Sequence, residues 1–182
     1  GTWTTASTTV GKNTYSLTGQ TLTGSDTLKV RVVDVAGNTG TASADAYAYD
    51  TIAPTTVTIK LSTSTLKVGS TSNVTFTFNE KVGNFDNNDV TVANGTLSTV
   101  TSADGGLTWT AVFTPTADIE DATNIITVDK STLTDLAGNA GTGTTNSSNY
   151  KVDTKRPTAT VAMSDTDLKI GDTSKVTFTF SE

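Results

Sequence analysis

The chain has 182 residues, a net charge of −6, and neither cysteine nor histidine. The missing residue types exclude thiol and imidazole catalysis, zinc fingers and disulfide bonds within the chain. The negative charge argues against nucleic acid and anionic membranes as partners and favours a divalent cation. Threonine makes up about a quarter of the chain, and glycine and asparagine recur at short intervals. This composition predicts an all-β fold with many tight turns. No run of 18 apolar residues is present, so direct membrane insertion is not expected.

The sequence repeats itself with a period of about 102 residues. Such a period is the size of an immunoglobulin-like (Ig-like) β-sandwich. Segment 66–80 is identical to segment 168–182 at eleven of fifteen positions. Two further pairs give the same period, at offsets of 103 and 101: segments 50–55 with 153–158, and segments 34–38 with 135–139.

The repeat divides the chain into three predicted parts. Residues 1–50 correspond to the later strands of one Ig-like repeat, residues 51–153 to a complete repeat, and residues 154–182 to the first strands of the next. Each Asp-Thr-x-x-Pro-Thr segment is a predicted linker. Pro54 and Pro157 restrict their own backbone and that of the preceding residue, so the linkers should be short and stiff.

The complete repeat begins with two alternating segments. Residues 55–61 predict a first strand, 67–70 a turn, and 74–78 a second, half-buried strand. Residues 90–92 and 97–100 flank Asn94-Gly95, a dipeptide typical of two-residue hairpins.

The rest of the repeat follows the same pattern. A turn is predicted at 104–106, and later strands are indicated by Leu107, Trp109, Ala111 and Phe113, by Ile126 and Val128, and by Tyr150 and Val152. The prediction is an antiparallel β-sandwich of about seven strands. We interpret the aromatic residues as core packing rather than a carbohydrate platform: Phe76, Phe78, Trp109 and Phe113, with Trp3 and Tyr15 in the first part.

Acidic residues cluster in the loops that strand order places at the linker end of the repeat. Carboxylates converging there would repel one another, and Ca²⁺ with six to eight oxygen ligands is a simple remedy. These acids are Asp50, Glu80, Asp86, Asp89, Asp104, Asp129 and Asp135, and the side-chain amide of Asn139 could complete the shell.

Solvated turn residues are the alternative interpretation of these acids. We favour it for Asp104 and Asp129. Metal binding is favoured for Asp50, Glu80 and Asp135, because the next repeat or the preceding one contains counterparts at Asp153, Glu182 and Asp34. The opposite end of the repeat carries Asp118, Glu120 and Asp121, next to Asp153 and Glu182, so each junction could draw acids from both neighbouring repeats.

Together these motifs resemble the bacterial Ig-like repeats of giant RTX-type adhesins. The resemblance rests on segments 50–55, 66–69, 74–80, 85–97 and 135–139, whereas residues 1–50 resemble a distinct Ig-like subtype. It implies an extracellular extender at the bacterial cell surface that leaves the cell by type I secretion and serves adhesion or biofilm formation. It also implies Ca²⁺ at domain junctions, with Asp50, Glu80 and Asp135 as the matching positions.

Two other functions stay open on the sequence alone. The repeat could recognise a glycan, ice or a host protein, or it could be an accessory module of a secreted hydrolase. Catalysis within the chain is not expected, because the acids lie on loops without an evident cleft. The expected partners are neighbouring repeats of the same chain, and no small-molecule substrate is expected.

Overall fold

The computed structural model describes residues 23–182. They fall into two compact units, whose boundary lies between Ile52 and Ala53. The described residues contain strands and one short 3₁₀ helix, Asn87–Asp89, but no α-helix, so the predicted all-β class is confirmed. The predicted packing of Trp3 and Tyr15 lies outside the described residues.

The first unit contributes a hairpin. Strand β1, Asp26–Val30, pairs antiparallel with β2, Ser43–Tyr47, and a short bridge joins Val33 to Thr39 between them. Leu28 and Val30 point into solvent from this hairpin.

The second unit contains thirteen strands and begins at Ala53. They are β3 Val57–Leu61, β4 Thr65–Lys67, β5 Ser72–Phe78, β6 Val90–Val92, β7 Gly95–Leu97, β8 Thr101–Ser102, β9 Thr108–Pro115, β10 Glu120–Asn124, β11 Ile126–Asp129, β12 Thr144–Asn146, β13 Tyr150–Asp153, β14 Ala159–Met163 and β15 Val176–Phe180.

Strands β3 to β13 form three sheets. The largest has the order β3-β5-β9-β7, with β8 also paired to β9. The others have the orders β12-β11-β6 and β10-β13-β4. All pairs are antiparallel except β4 with β13, which run parallel, so the sandwich departs from a purely antiparallel one at this edge.

The core of the complete repeat lies against β5. Val74, Phe76 and Phe78 are buried, while Thr75 and Thr77 between them face outward, as the alternation predicts. Phe85 closes this core from the following loop. Its ring makes edge contacts with Phe76, Phe78 and Trp109 at centroid distances of 5.2, 5.2 and 5.6 Å.

The predicted Asn94-Gly95 hairpin is wrong. Asn94 does adopt a left-handed backbone, with φ of 51°, but the strands on either side of the turn do not pair with each other. Instead β6 pairs with β11 and β7 pairs with β9, so the turn carries the chain from one sheet to another. Glycine is required at 95 because an added Cβ would lie 2.2 Å from the Phe113 ring.

The 102-residue period reappears in the hydrogen bonds of two hairpins. Strands β14 and β15 pair in the same register as β3 and β5, with Val161 opposite Phe178 as Ile59 is opposite Phe76. The loops match as well. Backbone N–H groups donate to Ser62 and Ser72 in one hairpin and to Ser164 and Ser174 in the other. Phe76 is fully buried beneath the other strands of its repeat, whereas Phe178 is 61% exposed in a segment that holds only the first two strands of a repeat.

Candidate metal centre

Three loops of the complete repeat meet just after β5. The Val82 N–H donates to the Gly106 carbonyl, and the Gly83 N–H donates to the Thr134 carbonyl. Val82 also forms a bridge with Asp135. Backbone hydrogen bonds therefore hold together the loops that follow β5, β8 and β11, which lie at the same end of the sandwich.

Glu80 and Asp135 come together at this place. Each offers a carboxylate oxygen, and these oxygens lie within 4.8 Å of each other. Glu80 is half-buried and Asp135 is 6% exposed. Two carboxylates this close repel each other unless a cation lies between them, and a hard cation with oxygen ligands fits this donor set.

The Asp135 loop holds its carboxylate rigidly. Asp135 Oδ1 accepts hydrogen bonds from the backbone N–H groups of Ala137 and Asn139, and Oδ2 accepts from Asn139 Nδ2 at 2.7 Å. Burial raises the pKa of Asp135, but the hydrogen bonds from Asn139, Gly138 and Ala137 outweigh it, so the pKa lies below its usual value. Asn139, a predicted ligand, thus positions the Asp135 carboxylate through its side-chain nitrogen.

The first unit contains the same loop. Asp34 accepts hydrogen bonds from the N–H and Nδ2 of Asn38 at 2.8 and 2.7 Å. The side-chain bond from Asn38 is the main reason that the pKa of Asp34 is lowered. The Asp-x-Ala-Gly-Asn motif therefore encodes one carboxylate geometry in both units.

Asn79 connects Glu80 to the start of the second unit. Its Oδ1 accepts from the backbone N–H groups of Thr55 and Thr56 at 3.1 and 3.0 Å, and its Nδ2 donates to the Ala53 carbonyl and to Glu80 Oε1. Asp50 belongs to the first unit and accepts a hydrogen bond from the Ile52 N–H at 3.0 Å.

Asp86 and Asp89 serve the local backbone. Asp86 caps the 3₁₀ helix by accepting from the Asn88 N–H, and Asp89 accepts from the Asp86 N–H and from the Thr132 hydroxyl. Within residues 23–182, Glu80 and Asp135 belong to a group of closely spaced acids, the acidic cluster, and neither Asp86 nor Asp89 belongs to it. Their position as ligands stays a prediction, and the capping box is the role that the structure gives them.

Asp153 and Glu182 lie apart from that cluster as well. Asp153 ends β13, where it stands opposite Glu120 of β10, and Glu182 is exposed. Of the acids predicted at the opposite end, Glu120 forms an ion pair with Lys155 at 3.6 Å, and Asp121 accepts from Asn94 Nδ2.

A known protein family matches the part of the chain that contains this site. A family model described as the bacterial Ig-like domain matches residues 50–152 and again residues 153–182. The chain belongs to the bacterial Ig-like domain family. Searches of curated proteins and of solved structures find no match.

Membership narrows the range of functions. Bacterial Ig-like domains are generally non-catalytic binding or structural modules, typically exposed outside the cell. Within residues 23–182, none of the helical segments has the length and apolar character needed to cross a bilayer.

The roles of two residues of this bacterial Ig-like chain were not predicted from the sequence. Asn79, which precedes Glu80, carries the bonds to the linker, and Thr154, which follows Asp153, is buried. The sequence could have indicated Thr154, because Thr51 occupies the same position in the preceding Asp-Thr-x-x-Pro segment. It could not indicate Asn79 in this way, because the equivalent residue of the next repeat is Ser181.

Asp104 and Asp129 are turn residues, in line with the interpretation favoured for them. Asp104 Oδ1 accepts from the N–H groups of Thr108 and Leu107 and from the Ser102 hydroxyl, and these bonds lower its pKa to about 2. Asp129 accepts from the Ser131 N–H, which lowers its pKa too.

The hydrogen bonds to Asp104 make the stability of the folded state depend on pH. Because the folded pKa of about 2 lies below the unfolded value of about 3.9, the stabilisation is present above about pH 4 and is lost as the pH falls towards 2. We expect Asp104→Asn to be less stable than wild type in urea at pH 7, with a difference that shrinks between about pH 4 and pH 2. A difference that stays constant over this range would contradict the assignment.

Proposed function

We propose that this chain is an extender segment of a large secreted bacterial surface adhesin, in which Ca²⁺ at a domain junction fixes the orientation of successive Ig-like repeats. The proposal includes an RTX-type parent protein, type I secretion, and a role in adhesion or biofilm formation. The observation that carries it is the approach of the Glu80 and Asp135 carboxylates within one repeat.

Asp50 is the third proposed ligand. It precedes Ala53 by three residues, and Ala53 is held by Asn79 next to Glu80. Three residues of extended chain span about 10 Å, which lets the Asp50 carboxylate reach the pair. An ion bound in this way takes ligands from the linker and from the repeat that follows it.

Calcium suits this set of donors better than magnesium. Three carboxylates supply up to six oxygens, and Ca²⁺ accepts irregular shells of six to eight, whereas Mg²⁺ requires a near-ideal octahedron and keeps several of its waters. Backbone carbonyls and water would complete the shell. Extracellular modules of this kind bind with dissociation constants of about 10⁻⁴–10⁻³ M, which matches the calcium available outside cells.

The function of a junction ion is mechanical. A linker with few free residues still allows bending, and an ion that joins the linker to the repeat that follows it reduces that freedom. A series of such junctions would form a rod that projects a binding domain from the cell. The non-catalytic character of the family supports this role.

Removal of calcium tests the proposal directly. With about 10 mM Ca²⁺, binding stabilises the folded state by about 1.4–2.7 kcal/mol, so thermal unfolding should occur about 5–15 °C higher than in a chelator. The same concentration of Mg²⁺ should give a much smaller shift. Superimposable unfolding curves in Ca²⁺ and chelator would contradict the calcium site.

The extender role has its own test in the parent protein. Many further repeats of this type on both sides would support a stalk. A catalytic domain next to these repeats would instead indicate an accessory module of a hydrolase, and specific retention on a glycan array would indicate a recognition module.

A further inference from the structure

The hydroxyl of Thr154 is buried at the exit from the complete repeat. Thr154 is 6% exposed, and its Oγ1 donates to the Thr116 carbonyl at 2.7 Å and accepts from the Ile119 N–H at 2.9 Å. Its own N–H donates to the Ile119 carbonyl at 2.7 Å, which continues the β10–β13 ladder by one residue. Thr154, the second residue of the Asp-Thr-x-x-Pro-Thr linker, is therefore bound by the repeat that the chain leaves.

The loop that receives Thr154 has an unfavourable backbone conformation. Asp118 has φ of 63°, in the left-handed region that residues other than glycine rarely adopt. This conformation presents the Thr116 carbonyl and the Ile119 N–H to the same hydroxyl. The bonds to Thr154 offset the strain, so the loop and the threonine stabilise each other.

The other end of the linker is held by the next hairpin. The Thr158 N–H donates to Ser181 Oγ at 2.9 Å, and the Ser181 N–H donates to the Thr158 carbonyl at 3.0 Å. Only Lys155, Arg156 and Pro157 lie between the two attachment points. Pro157 has a fixed φ and restricts Arg156, so the free tether is short and has few conformations.

We propose that Thr154 is a clamp that fixes the outgoing linker to its own repeat and limits the bending between successive repeats without any ion. The clamp acts on the next repeat of the same chain, which is joined to Thr154 through residues 155–157. The ion pair between Lys155 and Glu120 adds little, because both side chains are more than half exposed. This stiffness goes beyond the proposed calcium site, since it uses none of its ligands.

The test uses the whole chain in a chelator, so that calcium contributes nothing. The chain has no cysteine, and spin labels can be attached at Thr96→Cys in the complete repeat and Thr173→Cys in the β14–β15 loop, both of which are exposed. We expect a narrow label–label distance distribution in the otherwise wild-type chain. Thr154→Val should broaden it, whereas Thr154→Ser should keep it narrow.

Thr158→Val is the matched control. It makes the same chemical change in the same linker, but Thr158 is held through its backbone, so the distribution should stay narrow. Amide exchange gives a second readout. The Ile119 N–H loses its acceptor in Thr154→Val and should exchange about tenfold faster than in wild type.

Each alternative result overturns the clamp. A broad distribution in the chelated wild-type background would show that the linker is free even with Thr154 present. An unchanged distribution and unchanged Ile119 exchange in Thr154→Val would show that the hydroxyl is not needed. Because calcium is absent throughout, failure here leaves the calcium proposal intact, and failure of the calcium proposal leaves the clamp intact.

Discussion

Replacing Phe76 with alanine is expected to lower the free energy of unfolding of the second unit by about 3–5 kcal/mol. Phe76 is fully buried on the central strand β5, and its ring contacts Phe85 at a centroid distance of 5.2 Å. The close packing of the sandwich leaves little room for collapse around the cavity. Urea unfolding followed by Trp109 fluorescence would measure the change.

Phe178 provides the control at the equivalent position of the next hairpin. It lies opposite Val161 as Phe76 lies opposite Ile59, but it is 61% exposed. Phe178→Ala should therefore change the free energy of unfolding by less than about 0.5 kcal/mol. Equal losses from the two substitutions would contradict the difference in burial between the hairpins.

The strands of the core could be predicted from sequence because their burial follows a simple alternation. In β5 every second residue is apolar, and the buried set is the one that the alternation indicates. The repeat also identified Asp34 and Asp135 as equivalent, and the matching hydrogen bonds of their loops follow from the shared Asp-x-Ala-Gly-Asn motif.

Strand pairing could not be predicted in the same way. Asn94-Gly95 has the turn chemistry of a hairpin, and Asn94 does have a positive φ. Which strands pair, however, depends on contacts far along the chain, such as the Phe113 ring against Gly95 and the hydroxyl of Tyr150 on the Ala93 carbonyl. These contacts direct β6 and β7 into different sheets.

The candidate site, too, could be predicted only in part from the sequence. Recurrence in a second repeat singled out Asp135 among the loop acids, whereas the sequence could not show that Asp86 and Asp89 form a capping box. Aspartate is favoured both for capping a helix and for binding a hard cation, and only the structure shows Asp89 accepting from the Asp86 N–H and the Thr132 hydroxyl.

Glu80→Gln is expected to remove the effect of calcium on stability. The substitution keeps the size of the side chain and an oxygen that can accept from Asn79 Nδ2, but it removes the charge of a proposed ligand. The shift of about 5–15 °C between Ca²⁺ and chelator should fall to nearly zero. Asp135→Asn is less suitable, because it would place a second amide against Asn139 Nδ2 and disturb the loop.

Glu120→Gln is the matched control for this experiment. It makes the same chemical change at an exposed acid outside the acidic cluster, so the calcium-dependent shift should be retained. A Glu80→Gln protein that keeps the full shift would show that any bound calcium lies elsewhere.

The distance between the two units, measured with and without calcium, tests the junction most directly. Spin labels at Thr41→Cys in the first unit and Thr96→Cys in the second report on the segment that contains Asp50. We predict a narrow distance distribution in Ca²⁺, a broader one in chelator, and the broader one in both conditions for Glu80→Gln. Distributions of equal width in Ca²⁺ and chelator for the wild-type sequence would contradict the account.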